Sequence, residues 1–243
     1  MTYAILSINA PPECITELKK LGFEVVLLPP FKRLSYPTDT HADMLFYHHD
    51  SHIVMHKDYY NENKSIFDKI IEACGLTLSL SDEHISSSYP EDILYNALKI
   101  NNNIFVHRTH TSNLIISTEK DCSPVICKQG YIACSTLVVD DGNVIVSDDN
   151  LEKIYKEHGI TVTKISVGGI DLHPYDYGFI GGCCGVHDNT VYFCGNIDLH
   201  PDADIIKAKI LSLNKNYINL YNGSLKDIGS IKFICEKKAQ AID

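Results

Sequence analysis

The chain has 243 residues, 44% of them hydrophobic, which suits one large domain or two small ones with a sizeable core. Its 31 acidic residues outnumber 21 basic ones, giving a formal charge of −10 with no Lys/Arg block; this argues against nucleic acid and anionic membranes as partners. No apolar run approaches the roughly 20 residues of a membrane span. MTYAILSINAPPE at the N-terminus has neither the basic region nor the cleavage site of a signal peptide, so with nine scattered cysteines a reduced cytoplasmic protein is expected.

In chain order, residues 3–8 read as a strand, 12–21 as a helix and 23–28 as a second strand. Then one phrase recurs: two strands around a turn, an amphipathic helix, and a further strand. The first copy has strands at 43–48 and 52–55, a helix at 65–74 and a strand at 76–80. The second is less regular, with strands at 92–98 and 104–107 around Asn101, Asn102 and Asn103, a poorly patterned segment, and a strand at 124–127. The third has strands at 131–139 and 143–147 around Asp140-Asp141-Gly142, a strong hairpin signal, then a helix at 151–158 and a strand ending near Ile165. The fourth has strands at 179–186 and 190–194, a helix at 202–213 with acidic residues in its first turn, and a strand at 217–220. Gly22, Gly75 and Gly159 each stand between a helix and a strand, where a left-handed C-terminal cap favours a residue without Cβ. The N-terminal segment lacks a first strand, and the C-terminus has a spare one at 230–235; together they would make a fifth unit. Recurrence of one phrase indicates an array of similar units, and closure of that array would remove its open ends.

A ring of five strand-strand-helix-strand units, closed by the C-terminal strand, resembles the pentein superfamily. The resemblance implies an α/β fold, a five-fold pseudosymmetric α/β propeller of ββαβ units, with 1–243 as a single domain. Its units would cover 1–30 plus 229–236, 42–82, 90–128, 130–166 and 177–222. The superfamily holds guanidino-group-modifying enzymes (arginine and agmatine deiminases, dimethylarginine hydrolase, amidinotransferases) and a non-enzymatic ribosome anti-association factor.

Local motifs are partly kept. An Arg-Asp after an early strand is matched by His49-Asp50. A Gly-Gly-Asp entering a later strand is matched by Pro90-Glu91-Asp92, and the following Arg-Thr by Arg108-Thr109. The position of the family's catalytic histidine falls on Tyr131, and that of its catalytic cysteine on Phe233, with Cys235 two residues on.

The chemistry the resemblance implies is attack by a cysteine thiolate on a guanidinium carbon. It needs an activated thiol, a histidine to move protons, and carboxylates to hold the planar cation. Asp50 and Asp92 are the expected carboxylates, with His107 and Arg108 lining the same end of the ring. His49 is the candidate proton carrier, and Cys183, Cys184 and Cys235 are the candidate nucleophiles. Cys183 and Cys184 lie in Gly181-Gly182-Cys183-Cys184-Gly185, with His187 close behind. The plainer reading of that stretch is a strand near the ring axis, where small residues fit, and the plainer reading of Cys134 is a small core residue. His48, His49, His52 and His56 read as a polar rim, and His41-Ala42-Asp43 is a weaker candidate at the entry to the same unit. Asp171-Leu172-His173-Pro174 and Asp198-Leu199-His200-Pro201 look alike and carry metal-ligand residue types, but their spacing fits no zinc-ribbon pattern. No metal and no cofactor is assigned. The expected partner is a small polar ligand, cationic if the carboxylates bind it. The alternative is a non-catalytic pentein that has lost the Cys/His pair and binds a small ligand or a protein.

Overall fold

The computed structural model describes residues 1–237; residues 238–243, the end of the span expected to form one domain, lie outside the described residues. The N-terminal segment contributes β1 (Thr2–Ser7), α1 (Pro12–Lys20) and β2 (Glu24–Leu28). There follow α2 (Ala42–Leu45), β3 (Phe46–His49), β4 (His52–His56), α3 (Lys57–Glu62), α4 (Lys64–Cys74) and β5 (Thr77–Ser81). The next unit is β6 (Leu98–Ile100), β7 (Asn103–His107), α5 (Asn113–Thr118) and β8 (Ser123–Cys127). After it come β9 (Thr136–Asp140), β10 (Asn143–Val146), α6 (Asp149–Glu157) and β11 (Thr161–Lys164), then the short β12 (Ile170–Asp171). The chain continues with β13 (Cys184–His187), β14 (Thr190–Phe193), α7 (Ala203–Ser212) and β15 (Asn216–Asn219), and finishes with β16 (Leu225–Lys226) and β17 (Lys232–Cys235).

Five of the sheets share one design: a middle strand pairs antiparallel with the strand before it and parallel with the strand after its helix. The fifth example is built from both ends of the chain. β17 runs antiparallel to β1, pairing Thr2 with Cys235 and Ile5 with Lys232, while β1 runs parallel to β2. The sheets are separate ladders; among the described residues no hydrogen-bonded sheet closes on itself.

The helices form where capping and patterning agree. Asp148 caps α6, its Oδ1 accepting the Leu151 N–H at 2.8 Å, and α6 buries Leu151 and Tyr155 while its charged residues face outward. Gly75 ends α4 in the left-handed conformation (φ 58°). The poorly patterned stretch after His107 folds as α5, capped by Ser112, and α3 is a short helix without a counterpart in the expected elements.

One difference from the expected elements repeats in all five units. The apolar patterning puts the opening strands at 43, 92, 131, 179 and 230, whereas they begin at Phe46, Leu98, Thr136, Cys184 and Lys232. The preceding residues are apolar because they turn through the interior, not because they lie in a ladder. Ile93, Ile132, Ile180 and Ile228 are all buried there. Burial selects the same side chains in a buried turn and a buried strand, so periodicity does not separate them.

A sixth, two-stranded parallel sheet pairs β12 with β16, matching Ile170 with Leu225 and Asp171 with Lys226. Asp227 N–H bonds the Asp171 carbonyl at 2.9 Å, and Gly178 N–H bonds the Ile170 carbonyl at 2.8 Å. This small ladder sets the 172–179 loop beside Asp227.

Candidate functional site

The buried turns before the five opening strands present a set of equivalent side chains. His41, Tyr131, Phe179 and Asp227 each lie five residues before the first residue of β3, β9, β13 and β17; Asp92 lies six before β6. His41, Tyr131, Phe179 and Asp227 line one cavity of about 260 Å³, together with Cys134. Asp92 joins them through the Tyr131 hydroxyl, which donates to its Oδ2 at 2.7 Å. Leu172, Tyr175, Asp176 and Tyr177 from the loop before Phe179 form the rest of the wall, with Thr38.

Asp227 is the most constrained group in the cavity. It is 3% exposed, and its carboxylate accepts the N–H groups of Phe179 and Gly229, each at 2.9 Å. His41 Nδ1 stands 3.7 Å from its Oδ1. Burial pushes the Asp227 carboxyl above the ordinary carboxylate range; the His41 charge and the two N–H donors pull it down, and the Asp43 charge adds to the rise. Glycines make the room. A Cβ on Gly182 would lie 2.1 Å from Asp227 Oδ1, one on Gly178 2.4 Å from Asp227 Cβ, and one on Gly229 2.1 Å from His41 Cβ. Three close backbone approaches around one carboxylate and its imidazole neighbour need residues without side chains.

Cys134 is almost fully buried. Asn96 Nδ2 donates to its Sγ at 2.9 Å while Asn96 Oδ1 accepts the Ala133 N–H at 2.7 Å, so one amide positions both the turn and the sulfur. Its thiol lies well above its ordinary pKa, first through burial and then through the negative charges of Asp43 and Asp227. Both oxygens of the buried Asp43 carboxylate lack a hydrogen-bond partner among the described residues.

The residues singled out from sequence are spread over several places. Asp92 reaches the cavity set. Asp50 sits at the tip of the β3–β4 hairpin with φ 48° and a side chain 76% exposed, 3.3 Å from His49 Nε2. His49 and Cys184 border a second cavity of about 300 Å³, which also takes in His48 and Lys232. The thiols of Cys183 and Cys184 donate to the Ile180 carbonyl at 3.2 and 3.1 Å, and burial holds Cys183 far above its usual pKa. Cys235 is exposed on β17, its sulfur 3.6 Å from Thr2 Oγ1. His107 and Arg108 line a groove of about 520 Å³ with Glu83 and Glu91. Phe233 packs on Phe23 and Tyr192. The two Asp-x-His-Pro segments bond differently: His200 Nδ1 accepts the Asp202 N–H at 3.0 Å within its own turn, whereas Asp171 accepts the hydroxyl of the distant Ser224. Among the described residues no three His, Cys, Asp or Glu side chains converge as metal ligands.

In sequence His41, Asp43 and Cys134 are weak candidates, and Asn96, Phe179 and Asp227 carry no local mark of a site. The signal that finds the cavity set is a register: a variable residue followed by a small or isoleucine side chain at His41-Ala42, Asp92-Ile93, Tyr131-Ile132, Phe179-Ile180 and Asp227-Ile228. Chemically the site offers a buried carboxylate, an imidazole, a thiol and aromatic faces, with no Lys or Arg among its lining residues. Such a set attracts a small cation.

Solved structures with this architecture are distant in sequence. A dimethylarginine dimethylaminohydrolase of Pseudomonas aeruginosa, complexed with citrulline, aligns with a TM-score of 0.56 at 10% identity, covering 94% of this chain and 91% of that one. The C. jejuni agmatine deiminase with substrate bound aligns at 0.56 and 11% identity, covering 96% and 92%. The inosamine-phosphate amidinotransferase of Streptomyces griseus aligns at 0.56 and 10%, covering 92% and 78%. These likenesses establish the pentein fold for this chain. No helix among the described residues is long and apolar enough to cross a membrane. No curated protein matches the sequence. The family model described as Family of unknown function (DUF6873) matches residues 5–232, and the chain belongs to that family.

Proposed function

We propose that the cavity between His41, Tyr131, Phe179 and Asp227 binds a small guanidino or amidino cation. In this reading the protein is a divergent guanidino-modifying-enzyme-like hydrolase or transferase. The observation that carries it is Asp227: a buried carboxylate, fixed by two backbone N–H groups and closely approached by Gly178 and Gly182, in an aromatic-walled cavity with no Lys or Arg in its lining. A buried carboxyl raised by desolvation gains most from an incoming cation, and a planar cation stacks on Tyr131 or Phe179. The citrulline and substrate complexes of the fold relatives support a small polar ligand.

Cys134 is the nucleophile this reading selects, because it lines the same cavity as His41. The bound cation offsets Asp43 and Asp227 and lowers the thiol pKa. The thiolate attacks the guanidinium carbon, and a C–N bond breaks. The amine leaves with the proton that His41 took from the thiol. Water, or an acceptor amine in a transferase, then displaces the sulfur and restores the thiol. Cys183, Cys184 and Cys235 are candidates of the same proposal if they open toward a ligand, and of these Cys184 borders the cavity that His49 lines.

The reading includes an arrangement: five sheets around one pseudo-five-fold axis, residues 1–243 as one domain, and the cavity on that axis. Its support is the pairing of β17 with β1 and the equivalence of the five pre-strand turns. It also places the protein in a reducing cytoplasm, in keeping with nine free thiols. The second reading, binding without catalysis, is favoured by one feature: Cys134 receives its hydrogen bond from the neutral Asn96 and faces two carboxylates.

Calorimetric titration with agmatine, guanidine and acetamidine, followed by assay of released ammonia or amine, tests both. Binding that disappears in Asp227→Asn, with turnover that disappears in Cys134→Ser while binding persists, is the expected result. Binding without turnover in the wild type leaves the non-catalytic reading. No binding of any cation overturns both.

A further inference from the structure

We infer that the cavity selects cations that carry no carboxylate, and that Asp176 at its rim sets this choice; the inference rests on the cation reading above. The charged groups lining the cavity are His41, Asp176 and Asp227, and those just behind it are Asp43 and Asp92. All but the imidazole are acidic. A guanidinium on Asp227 directs the rest of the molecule toward the rim, where Asp176 is exposed between Tyr175 and Tyr177, themselves 55% and 41% exposed. An ammonium placed there gains a carboxylate and two aromatic faces. An α-amino acid placed the same way brings its carboxylate against Asp176 with no Lys or Arg in the lining to receive it. Like charges brought together at a binding interface are a strong ground for rejection. Lys226 is a competitor for this role. It lines an adjoining cleft of about 60 Å³ that shares His41, Leu172 and Asp227, and does not line the cavity itself.

The ligand class is therefore a linear dication: a guanidino or amidino group at one end, an amine at the other, and no acid group between. Agmatine and arginine differ only by the carboxylate, which makes them the probes. Titration of the wild-type protein with each is expected to give agmatine an advantage of about tenfold or more. In Asp176→Asn, an exposed substitution, the ratio is expected to fall to about threefold or less, with the circular dichroism spectrum unchanged. Equal binding of the two, or a preference for arginine that Lys226→Ala removes, overturns the selectivity while leaving the cation reading intact. A preference that Asp176→Asn does not alter overturns the assignment to Asp176. Failure of both probes, and of simple guanidine, defeats the cation reading and this inference with it.

Discussion

Tyr131 and Asp92 show how one residue pair can tie the cavity to stability. Asp92 is buried and its carboxyl is raised above the ordinary range by that burial, with the Tyr131 hydrogen bond working against the rise. Its other oxygen has no partner among the described residues. Tyr131→Phe deletes only the donor, removing the side-chain hydrogen bond of a buried carboxyl at a cost of about 1–3 kcal/mol. The folded state then holds its proton to still higher pH. A folded-state carboxyl pKa above the unfolded one makes stability fall as pH rises from the unfolded value through the folded one. Urea unfolding should therefore show a larger loss for the variant at pH 7 than at pH 4; equal losses at both would mean that Asp92 is not the group affected. The aspartate itself was readable from sequence, since it precedes an apolar run as in the resembling enzymes. Its tyrosine partner, 39 positions away, was not. By the resemblance that position is the place of the family's catalytic histidine.

At the scale of elements, the helix-glycine-strand phrase was plain because it is local. The cap is needed wherever a helix must reverse within a residue or two. Gly159 has φ +76° and open space around it, so Gly159→Ala should cost about 1–2 kcal/mol from backbone conformation alone and leave ligand binding intact. Gly182 is the contrasting case: its backbone is not left-handed, but a Cβ there runs into the Asp227 carboxylate. Gly182→Ala should cost about 1–3 kcal/mol by overpacking and also abolish cation binding by displacing Asp227. Thermal unfolding and titration of the two variants side by side separate the roles. Binding by Gly182→Ala at wild-type strength would show that the Asp227 carboxylate can move without consequence. In sequence both are simply glycines beside apolar runs. The strand starts were misplaced for a related reason: apolar composition reports burial, and here a buried turn and a buried strand follow one another without a polar break.

The first and last strands of the described residues are joined. Glu236 N–H bonds the Met1 carbonyl at 2.9 Å, and its carboxylate meets the Met1 ammonium at 3.2 Å, beside the antiparallel pairing of β17 with β1. A circular permutant with Lys237 linked to Met1 by a short Gly/Ser segment, reopened at Asp141-Gly142 in the β9–β10 turn, should fold with wild-type circular dichroism and bind the same cations. A chain ended before Lys232 should not, because it removes β17 and leaves the β1 edge unpaired. A permutant that fails to fold while the truncated chain folds would overturn the closing role of β17. Sequence by itself determined the repeated unit, its four longer helices with glycines after three of them, the spare C-terminal strand and the pentein resemblance, because each depends on periodicity and backbone preference within some 30 residues. Only the tertiary structure decided the site. His41, Asp92, Tyr131, Cys134, Phe179 and Asp227 come from all five units, and each by itself is an ordinary residue before an apolar run. They come together only when packing sets those turns around one cavity, with Asp92 behind it on the Tyr131 hydroxyl, and when Gly178 and Gly182 let the backbone close in on Asp227 while Gly229 leaves room for His41.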